Sequence, residues 1–268
     1  MYDILIVGGG PAGLTAAIYA ARAGKHVAVL ERGSTGGQII SAPLVENYPG
    51  IPSVSGTELA RQMTEQACTV GAEIVYTEAV GLEKTPAGFR VLCMDGVREA
   101  KAVILATGGI GANPELIQKL RPDISPEVKT SNQPGSQGDG IILGENVGAA
   151  VVDAKEIQLN PTLLVGAPVI VSETVRGAGA VFVNKEGKRF ISELTTRDKT
   201  SAAVSKQTGG VAYEIFDQKV RDKVKQTVAA FELGLAKEGR TLEELGKNAG
   251  IDPKNLAATI AQYNKYAE

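Results

Sequence analysis

The chain has 268 residues, of which 43% are hydrophobic, and its 28 basic and 30 acidic side chains leave a formal net charge of −2. A balanced charge with no block of one sign gives no electrostatic basis for binding nucleic acid or anionic lipid. No basic region precedes the first apolar run, and no apolar stretch reaches the roughly 20 residues of a membrane span. We therefore expect a cytoplasmic protein that binds neither nucleic acid nor membrane.

The placement of the cysteines and the histidine argues against a metal or redox site. Cys68 and Cys93 are far apart in the chain and match no metal-binding or redox spacing. We expect both to be small buried side chains, and we expect no metal. The single histidine, His26, lies at the start of a predicted strand, where we expect a structural role.

The first part of the chain alternates between apolar runs and amphipathic segments. Residues 4–7 are a continuous apolar run, typical of a parallel strand covered on both faces, and an alanine-rich helix and a second strand at 27–30 follow. A second helix carries Leu59, Met63 and Ala67 on one face. Further strands are predicted within GAEIV, GFRVLC and EAKAVILATGG. This order predicts a doubly wound, Rossmann-like α/β domain.

The pattern changes after residue 109. Residues 113–124 are predicted to be helical, and a glycine-rich loop within 130–153 leads into another helix. Residues 180–191 predict a β-hairpin with its turn at 184–187.

Two helices are predicted for the end of the chain. Thr241 and Glu244 match a capping box, and Asp252 followed by Pro253 begins the last helix. Its apolar residues share one face, and they are Leu256, Ile260 and Tyr263.

A glycine motif between the first strand and the first helix predicts a dinucleotide site. Gly8, Gly10 and Gly13 match G-x-G-x-x-G. The first permits a tight turn, the second lets a pyrophosphate approach the backbone, and the third lets the helix pack on the strand. The second strand ends in Glu31, which can accept hydrogen bonds from a ribose diol. The alternative, glycines that serve packing alone, does not explain the acid at that strand end.

The residues after the second strand indicate which nucleotide binds. ERGSTGGQIISAPLVENYPGIPSVSGTEL resembles the FAD domain of low-molecular-weight thioredoxin reductases, and this resemblance covers residues 1–108. It implies FAD as the cofactor, although the chain has no CxxC pair for disulfide chemistry. The implied FAD-binding residues are Gly8, Gly10, Pro11, Ala12, Gly13, Glu31, Arg32, Gly36, Gly37, Gln38, Asn47, Val80, Ala106, Thr107 and Gly108.

From residue 106 onward the chain resembles a different group of flavoproteins. ATGGIGANPEL, the 130–153 segment and SETVRGAGAVFVNKEGKRFISELTTRDKTSAAV are similar to the soluble fumarate reductases and the urocanate-type reductases. This resemblance implies an inserted α+β capping domain, and it adds Asp139 to the FAD contacts. We therefore predict a mosaic or engineered chimera with an FAD-binding domain over 1–154, in which 109–154 is of the fumarate reductase type, and a capping domain over 155–268.

The second resemblance also implies a reaction. Fumarate reductases transfer hydride from reduced flavin to an alkene carboxylate and add a proton to the neighbouring carbon. The resemblance implies Arg197 as the acid, Glu173 and Arg176 as the relay that returns its proton, and Ser172 and Asn160 as substrate-binding residues. Asn160 stands where fumarate reductases commonly carry histidine, so the resemblance does not identify which alkene carboxylate is the substrate.

Alternatives remain at this point. The charged residues can form ordinary salt bridges instead, Glu173 with Arg176 and Arg197 with Asp198. Both families add a return segment to the FAD domain, whereas the sequence ends at QYNKYAE. We therefore expect weakly held FAD, self-association and little turnover, unless a homodimer or a partner chain supplies that segment. The function is then an FAD oxidoreductase of the fumarate reductase type, a non-catalytic FAD-binding scaffold, or one subunit of a split flavoenzyme.

Overall fold

A computed structural model describes residues 1–266, apart from the side chain at position 226. The chain forms two compact units. The first comprises Met1–Val128 and Asn132–Lys155, and the second comprises Lys129–Ser131 and Glu156–Glu268. Within residues 1–266 no helix combines the length and the apolar character needed to cross a bilayer.

The first unit is built on one six-stranded sheet. Its strands are β1 Tyr2–Val7, β2 Val27–Glu31, β3 Glu73–Tyr76, β4 Ala79–Thr85, β5 Gly88–Cys93 and β6 Gly96–Leu105. They lie in the order β3-β2-β1-β6-β5-β4, with β1 parallel to β2 and β6, and β2 parallel to β3. Strand β5 runs antiparallel to β6 and β4. The predicted doubly wound α/β fold is confirmed, and β4 is a strand that the sequence patterns did not predict.

Helices cover both faces of the central strands. They are α1 Pro11–Arg22, α2 Gly56–Thr69, α3 Pro114–Leu120 and α4 Asp139–Asn146, with a 3-10 turn at Gly37–Ser41. Ile6 of β1 packs in a cluster with residues of α1 and α2, whereas its neighbours Leu5 and Val7 pack with Leu143 of α4. Burial on both faces explains why the β1 sequence is a continuous apolar run.

The second unit combines a small sheet with short helices. Its elements are α5 Glu173–Gly177, β7 Val181–Val183, α6 Arg197–Ser205, β8 Tyr213–Ile215, α7 Gln218–Lys223, α8 Val228–Glu232, α9 Leu242–Ala249 and α10 Pro253–Asn264, with 3-10 turns at Thr208–Gly210 and Lys225–Thr227. The predicted N-caps are confirmed, since Thr241 Oγ1 accepts the Glu244 N–H at 3.2 Å and Asp252 accepts the Asn255 N–H at 2.9 Å. The capping box is only partly formed, because the Glu244 carboxylate accepts the Arg240 N–H at 2.8 Å rather than that of Thr241.

The hairpin predicted for residues 180–191 is only partly present. The turn forms, because Gly187 N–H donates to Asn184 O at 2.9 Å, but one isolated bridge from Val183 to Arg189 replaces the second arm. Strand β7 pairs with β8 instead. The Phe182 N–H donates to the Glu193 carboxylate at 3.0 Å, so a side chain takes a donor that a returning strand would use.

One of the two cysteine predictions is wrong. Cys93 is buried at the end of β5, as expected, but Cys68 is exposed. Cys68 follows the buried Ala67 on α2. At 100° per residue, the nine positions from the buried Leu59 to Cys68 place Cys68 on the opposite side of α2. The expected structural role of His26 agrees with its position, where its ring stacks on Tyr2 with centroids 4.5 Å apart.

Leu256 anchors the core of the second unit. It is 0% exposed and belongs to a cluster with Val181, Val183 and Ile251. We expect Leu256→Ala to lower the free energy of unfolding by about 2–5 kcal/mol, because it removes packed methyl groups and leaves a cavity. Chemical denaturation of the variant beside Leu233→Ala, whose leucine is 51% exposed, provides the check. Equal losses for both variants would contradict the assignment.

Candidate functional site

Two glycines of the motif are required by the packing of the protein itself. Gly8 has a φ of +106°, and a Cβ built there would overlap the carbonyl oxygen of Ala106. A Cβ at Gly13 would overlap the carbonyl oxygen of Gly8. These positions bring β1, α1 and the end of β6 into direct backbone contact, so neither glycine by itself indicates a ligand.

Gly10 is different, because no atom of the described residues requires a glycine there. Its φ of −74° and ψ of 179° suit any residue, and the atom nearest to a built Cβ is Gly37 Cα at 3.9 Å. Gly10 is the N-cap of α1, yet no side chain caps that helix, and Pro11 and Ala12 open its first turn. Open space beside uncapped N–H groups at a helix N-terminus suits an anion such as a pyrophosphate. The motif therefore fits a dinucleotide.

The acid at the end of β2 is held rigidly by backbone groups. Glu31 Oε2 accepts the Gly9 N–H at 2.7 Å, and Oε1 accepts the Gly33 N–H at 2.8 Å. Each carboxylate oxygen can accept a second hydrogen bond, so Glu31 keeps the capacity for a ribose diol. The adjacent Arg32 is exposed and pairs with Glu78 at 3.3 Å.

The loop at Gly36 and Gly37 is joined to a segment nearly a hundred residues later. Both glycines have positive φ, at +112° and +55°. Gln38 Nε2 donates to the buried Ser136 Oγ at 3.1 Å, and Gln133 Nε2 donates to Gly37 O at 3.4 Å. These hydrogen bonds hold the 36–38 loop, where the thioredoxin reductase resemblance implies flavin contacts.

The end of β6 supports the start of α4. Ala106 N–H donates to Val7 O at 2.8 Å, which continues the β1–β6 pairing beyond the strand. Thr107 Oγ1 accepts the Gly140 N–H at 2.8 Å and so caps α4, whose first residue is Asp139. Gly108 has a φ of +90°, and a Cβ built there meets no atom within 4 Å. The bond from Gly140 to Thr107 therefore holds Asp139 next to the end of β6.

Two other predicted FAD contacts lie on exposed backbone. Val80 is 54% exposed and occupies a β-bulge between Ala79 and Gly81, where the β4–β5 register shifts. A bulge leaves the backbone groups of the extra residue unpaired, so they are available to a ligand. Asn47 is exposed in a loop that the Val45–Val54 backbone pair closes.

In the second unit, the three predicted relay residues meet although up to 24 positions separate them. Arg197 Nε donates to Glu173 Oε1, and Arg197 Nη1 donates to Gln158 Oε1 at 2.7 Å. Arg176 Nη2 lies 3.8 Å from the same Glu173 oxygen. Arg197 therefore pairs with Glu173 rather than with its neighbour Asp198. We refer to Arg197, Glu173 and Arg176 together as the relay.

A cavity of about 450 Å³ opens onto the relay. It is lined by Glu173, Arg176, Gly177, Glu193, Leu194, Thr195, Thr196 and Arg197. Arg197 is exposed at this surface, whereas Arg176 is 4% exposed. The relay thus runs from a surface guanidinium through a carboxylate to a buried guanidinium.

The charge state of Glu173 is set by opposing effects. Burial raises the pKa of its carboxyl, but the hydrogen bond from Arg197 and the charge of Arg176 outweigh it, so the pKa lies below its usual value. Glu173 is consequently an ionised acceptor between two cations at neutral pH.

The two predicted substrate-binding residues are held by local contacts and do not line this cavity. Asn160 Oδ1 accepts the Thr162 N–H at 3.0 Å and the Thr162 O–H at 2.9 Å, which leaves the amide nitrogen as the group able to donate. Ser172 caps α5 by accepting the Thr174 N–H at 3.2 Å.

Two buried carboxyl groups beside the relay were missed from the sequence. Glu193 is 4% exposed and pairs with Arg189 at 2.7 Å. Glu214 lies on β8 within the apolar stretch AYEIF, and burial raises its pKa to about 7 although the charge of Arg176 lowers it. An acidic residue inside an apolar strand is the sequence pattern that could have indicated Glu214 as a functional candidate.

Comparison with known proteins connects both units to flavoproteins. Residues 80–268 match the family described as an FAD binding domain, and residues 2–137 match the pyridine nucleotide-disulphide oxidoreductase family. A fumarate reductase (cytochrome) of Shewanella frigidimarina is 50% identical over 166 residues, which is 62% of this chain and 29% of that protein. A thioredoxin reductase of Treponema pallidum is 44% identical over 108 residues, which is 40% of this chain and 35% of that protein.

A solved structure is similar over nearly the whole chain. The open conformation of a flavocytochrome c3 fumarate reductase superposes with a TM-score of 0.78 and 28% identity, covering 99% of this chain and 61% of that one. The chain spans under a third of the length of the curated fumarate reductases that it matches. The predicted resemblance to two flavoprotein families, one for each part of the chain, is confirmed.

Proposed function

The chain belongs to the FAD-binding domain family and, through residues 2–137, to the pyridine nucleotide-disulphide oxidoreductase family, and from this premise we propose that it reduces the C=C bond of a small alkene carboxylate. FAD is its cofactor. The observation that carries the proposal is the relay, in which two arginines flank one ionised glutamate at the wall of a cavity.

We assign FAD binding to the first unit. The space at Gly10 and the α1 N-terminus would hold the pyrophosphate, Glu31 the ribose, and the bulge at Val80 the adenine. The 36–38 loop, Asn47 and residues 106–108 would lie along the flavin, with Asp139 beside them. When bound, reduced FAD supplies the hydride for the alkene. Residues 155–268 would form the cap that binds and protonates the substrate.

The relay residues handle the proton that accompanies the reduction. Arg197 donates a proton to the substrate carbon, because its guanidinium lies at the cavity surface. A guanidinium normally keeps its protons, so this step requires an immediate replacement. Glu173 is ionised at rest, so it relays the replacement by taking a proton from Arg176 as it passes one to Arg197 along the hydrogen bond between them. Positive charge at both ends of the relay also favours a carboxylate substrate.

The substrate carboxylate needs donors besides the arginines. Asn160 can offer its amide N–H groups, since its oxygen is occupied by Thr162. Ser172 can offer its hydroxyl hydrogen. Asparagine brings no charge, so we propose an alkene carboxylate without limiting it to fumarate.

A reoxidation assay tests this function. We expect the protein with bound FAD to be yellow, to bleach on titration with dithionite, and to regain its colour when fumarate or acrylate is added without oxygen. The saturated acids succinate and propionate serve as matched controls and should leave the flavin reduced. A yellow protein that no alkene carboxylate reoxidises would contradict the proposal and favour a non-catalytic FAD-binding scaffold.

A further inference from the structure

Arg176 and Glu214 both have polar atoms enclosed by protein without a hydrogen-bond partner. Arg176 Nε and Nη2 and Glu214 Oε1 are the side-chain atoms of this kind in the described part of the chain. Buried polar atoms are nearly always hydrogen-bonded, so each exception calls for a physical explanation. Here the unpaired groups are complementary, because the arginine nitrogens are donors and a carboxyl oxygen is an acceptor.

Phe182 of the small sheet brings Arg176 and Glu214 to the same face of that sheet. Glu214 of β8 lies directly opposite Phe182 of β7, and opposite residues of an antiparallel pair project from one face. The Arg176 guanidinium lies over the Phe182 ring, with its Cζ 5.6 Å from the ring centroid. Tyr213 and Ile215 belong to the opposite face, where they pack in the apolar cluster around Leu256.

Arg176 of α5 is the charged neighbour that acts on Glu214, and Arg176 itself lies 3.8 Å from the ionised Glu173. From the segment after β7, Glu193 is neutralised by Arg189 and also accepts the Phe182 N–H. Because burial raises the pKa of Glu214 to about 7, this carboxyl is close to half protonated in neutral solution. Glu214 as a residue is only partly buried, whereas Arg176 is 4% exposed, so Glu214 is the member of the pair better placed to exchange a proton with solvent.

We infer that Glu214 donates the proton that recharges Arg176 and is thereby a fourth member of the relay. This inference rests on the proposed function. One proton leaves the Glu214 carboxyl for Arg176 as Arg176 passes one to Glu173. Glu173 passes one to Arg197, which has given its own to the substrate carbon. Glu214 alone ends without its proton and takes a new one from water, and no electrons move along the chain.

The test compares Glu214→Gln, which keeps the size and polarity of the side chain but removes the acid, with Glu214→Asp, which keeps the acid. The measurement is the rate constant for reoxidation of the pre-reduced protein by an alkene carboxylate as a function of pH. For the unaltered protein we expect a fall of about tenfold per pH unit above pH 7, where Glu214 loses its proton. Glu214→Gln should be on the order of 10²-fold slower below pH 7 and flat across this range. Glu214→Asp should retain the fall.

A second readout does not depend on turnover. The infrared carbonyl band of a protonated carboxylic acid, identified by its shift in D2O, should be present below pH 7, disappear above it, and be missing in Glu214→Gln. Glu238→Gln, at a side chain that is 63% exposed, is the matched control and should keep the band. A band unaffected by Glu214→Gln, or an unchanged pH profile of reoxidation in that variant, would overturn this inference while leaving the proposed function intact. Failure of the unaltered protein to be reoxidised would overturn both.

Discussion

Arg197→Met is expected to abolish alkene-dependent reoxidation while the protein keeps its FAD. Methionine keeps an unbranched apolar side chain and removes both the proton and the hydrogen bond to Glu173. Loss of a general acid typically costs 10²–10⁴-fold in rate, so we expect a loss of about 10³-fold in the reoxidation rate constant. The flavin absorbance spectrum should be unchanged, because Arg197 belongs to the second unit.

Arg90→Met provides a matched control for this experiment. Arg90 is 44% exposed and pairs with surface glutamates, and Arg197 is 45% exposed, so both changes remove one positive charge of similar exposure. If Arg197 formed only a salt bridge with Glu173, both variants would lose about 0–1 kcal/mol of stability and neither would lose activity. Equal reoxidation rates in the two variants would therefore disprove the relay and favour the salt-bridge interpretation.

Gly10→Val should abolish FAD binding without unfolding the protein. The nearest atom to a Cβ at this position is 3.9 Å away, so the valine occupies the open space assigned to the pyrophosphate rather than displacing protein. We expect the FAD dissociation constant to rise on the order of 10²-fold or more, equivalent to about 2.7 kcal/mol. Stability without FAD should fall by about 1 kcal/mol, since valine is a poor N-cap. Fluorescence titration with FAD and thermal denaturation of the FAD-free protein measure the two effects separately.

Gly13→Ala distinguishes a ligand-contacting glycine from a packing glycine. Its Cβ would overlap the carbonyl oxygen of Gly8, so the FAD-free protein itself should be strongly destabilised. Stoichiometric FAD in Gly10→Val would show that the pyrophosphate lies elsewhere. An FAD-free Gly10→Val protein as unstable as Gly13→Ala would show that Gly10 serves packing.

The sequence predicted best those features that depend on local pattern. The apolar run of β1 and the glycine spacing after it are fixed within a dozen residues, and the capping residues Thr241 and Asp252 act within one helical turn. These patterns predict the structure correctly because each one depends only on residues that are close together in the sequence. Strand β4 lacked such a signal, because its residues are mostly exposed or partly exposed.

Features that depend on distant residues could not be obtained from local pattern. The approach of Arg197 to Glu173 was implied by resemblance, not by spacing, since 24 positions separate them. The hairpin prediction failed because Glu193, eleven positions away, captures the Phe182 N–H. Glu214 was missed because its environment is created by Phe182 and Arg176 from other elements. Tertiary contacts decided each of these outcomes.

The hydrogen bond between Gln38 and Ser136 limits how chains of this kind can be recombined. Its partners are 98 positions apart, one in the part that resembles thioredoxin reductase and the other in the part that resembles fumarate reductase. A crossover at the end of β6 therefore joins two parental loops that must already be complementary. Libraries that shuffle these families at that point should yield more folded progeny when residues 38 and 136 are inherited as a matched pair than when they are drawn independently. Residues that contact each other across the crossover should therefore be exchanged together, even though they are far apart in the sequence.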